Sequence, residues 1–76
     1  MAHITLRAFG KHLRELRKLR GLSQEQIAEL SGLHRTYYGG LERGERNPTL
    51  LTLIKISKSI KINLSDLVDF NSRNEK

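Results

Sequence analysis

The chain has 76 residues, enough for one small domain with a modest core. It contains no cysteine, which excludes disulfides and thiolate metal sites and leaves helix packing, helped by self-association, to supply stability. Fourteen Lys and Arg against eight Asp and Glu give a formal net charge of +6, which points to a polyanionic partner, although a merely solvated basic surface fits the same count. No apolar run reaches membrane-spanning length and no signal-peptide pattern opens the chain, so a cytoplasmic protein with no membrane partner is expected.

Met1 to Ile4 reads as a short arm, and Thr5 as the cap of a first helix. Leu6, Phe9, Leu13, Leu16 and Arg20 recur at three- and four-residue steps on one face, with Leu19 near its edge. Arg7, Lys11, Arg14 and Lys18 lie largely around the rest, and Gly21 is placed to end the helix. Ser23 is a good N-cap and Gln26, three residues on, can reach back to complete a capping box. Ile27, Ala28 and Leu30 then give a short apolar face. Gly32 is free to take the left-handed conformation that closes a helix, and Leu33 plugs the turn beneath it. A third helix is expected from about His34 to Arg43, with Tyr38 and Leu41 on its inner face and Gly44 as its stop.

Two short helices with so tight a connection cannot lie antiparallel, so they cross steeply. The stretch from about 23 to 43 is therefore a helix-turn-helix, whose second helix enters a DNA major groove. Pro48 disfavours helix at Asn47 and lets a fourth helix start after it, with Thr49 as cap. Leu50, Leu53, Ile54, Ile56 and Ile60 form its broad apolar face, and Leu51 falls off that face. Asn63 is the expected cap of a last short helix carrying Leu64, Leu67, Val68 and Phe70, with Asp66 near the favourable end of the helix dipole. Residues 71–76 read as a flexible polar tail. The expected fold is all-α: five helices in one domain spanning 1–76.

Phe9–Gly10, Arg17, Gly21–Leu22–Ser23–Gln24–Glu25, Ala28, Ser31–Gly32–Leu33, Leu41–Glu42–Arg43–Gly44 and Asn47–Pro48–Thr49–Leu50 occur in an order and spacing that resembles the lambda-repressor/Cro-like helix-turn-helix family. This family is also called the xenobiotic-response-element family. Size, the Arg35–Thr36–Tyr37 group and Arg46–Asn47 also resemble the small controller proteins of restriction–modification systems. The resemblance implies a lambda-repressor-like bundle with Gln24 anchored to a phosphate and Arg35, Thr36 and Tyr37 at the groove. Arg can fork to guanine, and Thr can offer a hydroxyl or meet a thymine methyl. It places Arg43, Arg46 and Asn47 near phosphates, where contacts set register without reading sequence. Arg17 and Glu42 stand where the family has a partly buried ion pair bracing the first helix against the third.

Three positions depart from that pattern. His34 replaces a small hydroxyl residue at the start of the recognition helix, so it is expected to cap weakly and is a candidate phosphate donor. Gly39 and Gly40 sit inside the helix, each at a cost of about 1 kcal/mol against Ala. Close approach is the physical use of a missing side chain, so Gly40 is expected to face the groove or the DNA backbone, and Gly39 partly away. Lys61 stands in a turn where the family often has Gly.

His3, His12 and His34 are too scattered for a metal site, and no nucleophile–base set or phosphate loop can be assembled. No metal, cofactor or enzymatic activity is expected. The leading reading is a homodimeric transcriptional regulator on a palindromic operator of double-stranded DNA, repressing or activating, with RNA polymerase as a further partner if it activates. Leu51, Ile62, Leu64, Val68 and Phe70 are the expected dimer surface, because they exceed what so small a core can hide. The alternatives are an antitoxin-type protein-binding module with secondary DNA binding, and a non-specific nucleic-acid binder.

Overall fold

A computed structural model describes residues 3–70; Met1 and Ala2 of the expected arm and the expected tail 71–76 lie outside the described residues. Among these residues there are five α-helices and no strand: α1 Ile4–Leu19, α2 Gln24–Ser31, α3 Arg35–Glu42, α4 Leu50–Ser59 and α5 Leu64–Leu67.

Helix α1 starts one residue before the expected cap. His3, not Thr5, is its N-cap, with His3 Nδ1 accepting from the Thr5 backbone N–H at 3.0 Å. A neutral imidazole nitrogen is an acceptor in the same place as a serine hydroxyl, a role that residue-type rules do not anticipate. Phe9, Leu13 and Arg17 are buried on the inner face, while Leu19 is exposed. Arg20, placed by periodicity on the apolar face, instead sends its Nε to the Ile60 carbonyl at 2.8 Å and ties α1 to the end of α4. Gly10 sits where α1 crosses the end of α3. A Cβ there would fall 2.3 Å from the Glu42 carbonyl oxygen, so only glycine permits this helix crossing.

The capping box of α2 is complete: Ser23 Oγ accepts from Gln26 N–H at 3.0 Å and Gln26 Oε1 accepts from Ser23 N–H at 2.8 Å. Its buried face is Ile27, Ala28 and Ser31. Leu30 is 60% exposed rather than on that face, because at 100° per residue Ser31 completes the stripe and Leu30 falls to one side. The buried Ser31 hydroxyl donates to Ser59 Oγ at 3.0 Å, which in turn donates to the Ile56 carbonyl.

Helices α1 to α4 close with the same bond, from a backbone N–H to the carbonyl five residues earlier: Leu22 to Arg17, Leu33 to Ala28, Glu45 to Gly40 and Ile62 to Ser57. Each closure turns on one left-handed residue. Three are glycines and the fourth is Lys61, at φ 57°. A side chain there carries a steric cost that glycine avoids.

Thr49 caps α4 through Thr52 N–H, and Ile56 and Ile60 reach the core. Leu50 is 62% exposed and is not part of the apolar face, because it occupies the opening turn, ahead of the buried stretch. Asn63 precedes α5 but makes no side-chain cap bond. His12 instead meets the other end of α5, its Nε2 3.0 Å from the Asp66 carbonyl, and so ties α1 to the close of that helix. The core is one cluster: Phe9, Leu13, Ile27, Ala28, Tyr38, Leu41, Ile56, Ile60 and Leu67. It holds α3 by Tyr38 and Leu41, with α1 and α2 packed against it, so the opposite side of α3 is left outward.

Candidate nucleic-acid interface

The turn between α2 and α3 is Gly32–Leu33–His34. Gly32 takes φ 69°, Leu33 packs half-buried against the core, and His34 enters α3 as its N-cap. The His34 Nδ1 accepts from the Thr36 N–H at 3.3 Å, a longer bond than the serine cap of α2 makes. In a neutral ring that acceptor leaves Nε2 carrying the proton, so His34 can cap the helix and still present a donor outward. The first turn of α3 then exposes Arg35 and Thr36, while Tyr37 is half-buried against the core edge. Arg43, Arg46 and Asn47 are exposed around the far end of the helix.

Beneath this surface lies a polar network joining the first three helices. Glu42 accepts from Arg17 Nε at 2.6 Å, Arg17 Nη2 at 3.1 Å, the Tyr38 hydroxyl at 2.6 Å and Gln24 Nε2 at 2.9 Å. Arg17 Nη1 donates to the Leu22 carbonyl at 2.8 Å. The two charged side chains are only 10% and 3% exposed. Burial works to raise the Glu42 pKa, but the hydrogen bonds from Arg17, Tyr38 and Gln24 and the arginine charge outweigh it and hold the carboxyl below its ordinary range. The bond to Glu42 raises the pKa of Arg17 against its own desolvation. Burial, and then the bond to Glu42, raise that of Tyr38, so its hydroxyl remains a donor.

The ion pair expected from Arg17 and Glu42 is present, and two further members are not evident in the spacing alone. Tyr38 stands one turn before Glu42 on α3, which is the signal available for it. Gln24 is expected at a phosphate; its amide instead turns inward to Glu42. An amide nitrogen has two protons, so one donor of Gln24 remains for a second partner.

The arginines are placed by different means. Arg43 Nε pairs with Glu45 at 3.0 Å, and Arg35 stands 3.8 Å from Glu25, a loose and well-exposed contact. Neither carboxylate is marked by spacing. Gly39 and Gly40 are both buried, and neither offers open surface to a groove. A Cβ on Gly39 would meet Arg43 Nη1 at 3.1 Å and Gln24 Oε1 at 3.6 Å, so this residue is covered by those two side chains. A Cβ on Gly40 would meet Arg46 Cγ at 2.8 Å. The space expected for DNA is thus occupied by arginine side chains of the protein itself.

Comparison with known proteins agrees with this architecture. A helix-turn-helix family model (HTH_3) matches residues 13–67, from the middle of α1 to the end of α5. The chain belongs to this helix-turn-helix family. It is a transcriptional regulator by family, and the family is one of DNA-binding regulators rather than enzymes. The regulator is 50% identical over 59 residues to control protein C.SmaI of Serratia marcescens, covering 78% of this chain and 70% of that protein. It is 42% identical over 65 residues to control protein C.BamHI of Bacillus amyloliquefaciens, covering 84% and 80% of the two. Its fold matches the crystal structure of the restriction-modification controller protein C.AhdI from Aeromonas hydrophila, with TM-score 0.84, 48% identity, and 86% and 98% of the two chains covered.

Of the expected dimer residues, Leu51 is 69% exposed and Val68 is also exposed. Ile62, Leu64 and Phe70 are half-buried and pack against the regulator's own core. Phe70 in particular lies edge-on to Phe9, ring centroids 5.7 Å apart. Leu50 adds to the exposed apolar surface of α4. Among the described residues no helix is long and apolar enough to cross a membrane, and no group of His, Cys, Asp or Glu could hold a metal ion.

Proposed function

We propose that this chain is a single-domain, homodimeric regulator that binds a palindromic DNA operator and controls a restriction–modification operon. The observation that carries the reading is the first turn of α3. It presents Arg35 and Thr36 outward on a helix whose back is fixed by Tyr38, Leu41 and the Glu42 network. One such short helix reads few base pairs. Two related by a dyad, about 34–36 Å apart, read successive major grooves on one side of the duplex.

In this reading Arg35 reads a guanine edge, Thr36 and Tyr37 contact neighbouring bases, and Gln24, His34, Arg43, Arg46 and Asn47 hold phosphates. Gly39 and Gly40 act through the arginines that cover them. The dimer forms through Leu51 and Val68, whose exposed apolar surface has no cover in one chain, together with the half-buried Ile62, Leu64 and Phe70 beside them. The restriction–modification assignment is supported by the name of the C.AhdI structure and by the controller resemblance of Arg35–Thr36–Tyr37 and Arg46–Asn47. The regulator would work in the cytoplasm, where the DNA is, blocking RNA polymerase or recruiting it according to where the operator lies.

Sedimentation across a micromolar concentration range, with and without duplex DNA, tests the dimer. Two chains per bound duplex are expected. A single chain per duplex at saturation contradicts the palindrome.

A further inference from the structure

We propose that Gly40 is a positioning residue for Arg46: the bare Cα of α3 seats the arginine stem and so sets where its guanidinium meets a phosphate. This rests on the reading of Arg46 as a phosphate contact.

The seat follows from the way α3 ends. Gly44 takes φ 77°, and the chain doubles back so that the Glu45 N–H donates to the Gly40 carbonyl at 2.8 Å. That bond brings the next residue, Arg46, over Gly40. A Cβ at position 40 would stand 2.8 Å from Arg46 Cγ, 3.5 Å from Nε and 3.8 Å from Cδ. The stem therefore lies lengthwise across the glycine rather than touching it at one point. Carbon atoms pack at about 3.5–4.0 Å, so the first of these contacts cannot survive a methyl group. Cγ is only two bonds from the Arg46 backbone. It can move away only by rotation about χ1 or by a shift of the loop, and either carries the guanidinium to a new place. Among the described residues Arg46 is in no ion pair and its side chain makes no hydrogen bond, unlike Arg43, which Glu45 holds. Packing on Gly40 is what orients it.

The neighbouring glycine supplies the contrast. At Gly39 the tight contact is with Arg43 Nη1, the far end of a long side chain, which can yield without moving its stem. Alanine at either position should favour the helix alike. Only alanine at position 40 should displace an arginine. A charge-assisted hydrogen bond to phosphate is confined to about 2.7–2.9 Å, so a displaced head loses it.

The test uses the full chain, with Gly40→Ala, Gly39→Ala, Arg46→Ala and the Gly40→Ala/Arg46→Ala double variant. Each is titrated with duplex DNA of random sequence over a salt series, and each is checked for helix content and melting. Arg46→Ala is expected to weaken binding roughly fivefold to tenfold per chain near 0.1 M salt and to reduce the salt slope by about 0.9 per chain, about 1.8 for two chains on one duplex. Gly40→Ala is expected to show most of the same loss and slope change, with no lowering of the melting temperature. The double variant should bind like Arg46→Ala alone, and Gly39→Ala like the parent. A Gly40→Ala loss that persists in full in the Arg46→Ala background would overturn the seat and show that Gly40 itself approaches DNA. Weak binding by Arg46→Ala with unchanged binding by Gly40→Ala would overturn the seat alone. Unchanged binding by Arg46→Ala would overturn the phosphate reading beneath it. Loss of helix in Gly40→Ala would overturn the inference too, because displacing a surface stem cannot unfold α3.

Discussion

Glu42→Ala is expected to act on stability and not on contact with DNA. The substitution leaves Arg17 Nε and Nη2, the Tyr38 hydroxyl and Gln24 Nε2 without their acceptor, at a site where the charged side chains are nearly closed to water. Breaking a buried pair by removing one partner costs about 3–5 kcal/mol. A domain of 76 residues has a total stability of roughly 4–11 kcal/mol, so the loss is a large share of the whole. In a domain this small, that corresponds to a fall in melting temperature of roughly 12–40 °C. The assay is thermal melting at fixed protein concentration, paired with DNA titration at a temperature where the variant is still folded. Near-normal binding by the folded fraction is expected. The pH dependence has a definite sign. The Glu42 pKa is depressed in the folded chain, so its contribution is present in full above the ordinary carboxylate pKa, about 4.3, and is lost as pH falls through the depressed value. The stability gap between the parent and Glu42→Gln should therefore narrow on acidification from that range. Unchanged melting with lost DNA binding would refute the reasoning and move Glu42 to the DNA surface.

Arg35→Ala should cost about 1–3 kcal/mol per contact and relax the preference at one position of each half-site, measured by titration against single-base variants of the operator. Leu64→Glu should give helical monomers that bind DNA poorly, visible by sedimentation and circular dichroism; a dimer that survives it would displace the proposed interface. Lys61→Gly should raise stability by about 0.5–1 kcal/mol in chemical denaturation, because φ 57° suits glycine. His34→Ser should match or exceed the parent in stability, since Ser is the better cap, and should bind DNA more weakly if the ring Nε2 reaches a phosphate.

The fold was legible wherever local chemistry and periodicity agree. Ser23 with Gln26, Gly32, Gly44 and Thr49 mark helix ends through bonds between near neighbours, and the structure makes those bonds. The Phe9–Leu13 and Tyr38–Leu41 spacings likewise declare their buried faces. Two kinds of feature escaped. One is the acceptor role of an imidazole: His3 caps α1 through Nδ1, where Thr5 was expected, while His34 makes the weak cap expected of it, at 3.3 Å. The other is the long-range side-chain contact. Whether Gln24 turns toward a phosphate or toward Glu42 depends on where α3 lies, eighteen residues on. Leu30 and Leu50 are apolar with no cover in one chain, and Gly40 is roofed by a residue from the following loop. Glycines in a helix signal a missing side chain, but not whether DNA or another part of the chain fills the space.

Selection of bound duplexes from a random-sequence library bears most directly on the central claim that two α3 helices read a symmetric operator. The account predicts an enriched palindrome whose half-sites are centred about one helical turn apart, with guanine at the position that Arg35→Ala relaxes. Recovery of a lone unpaired half-site, or of no motif at all despite tight binding, would contradict it.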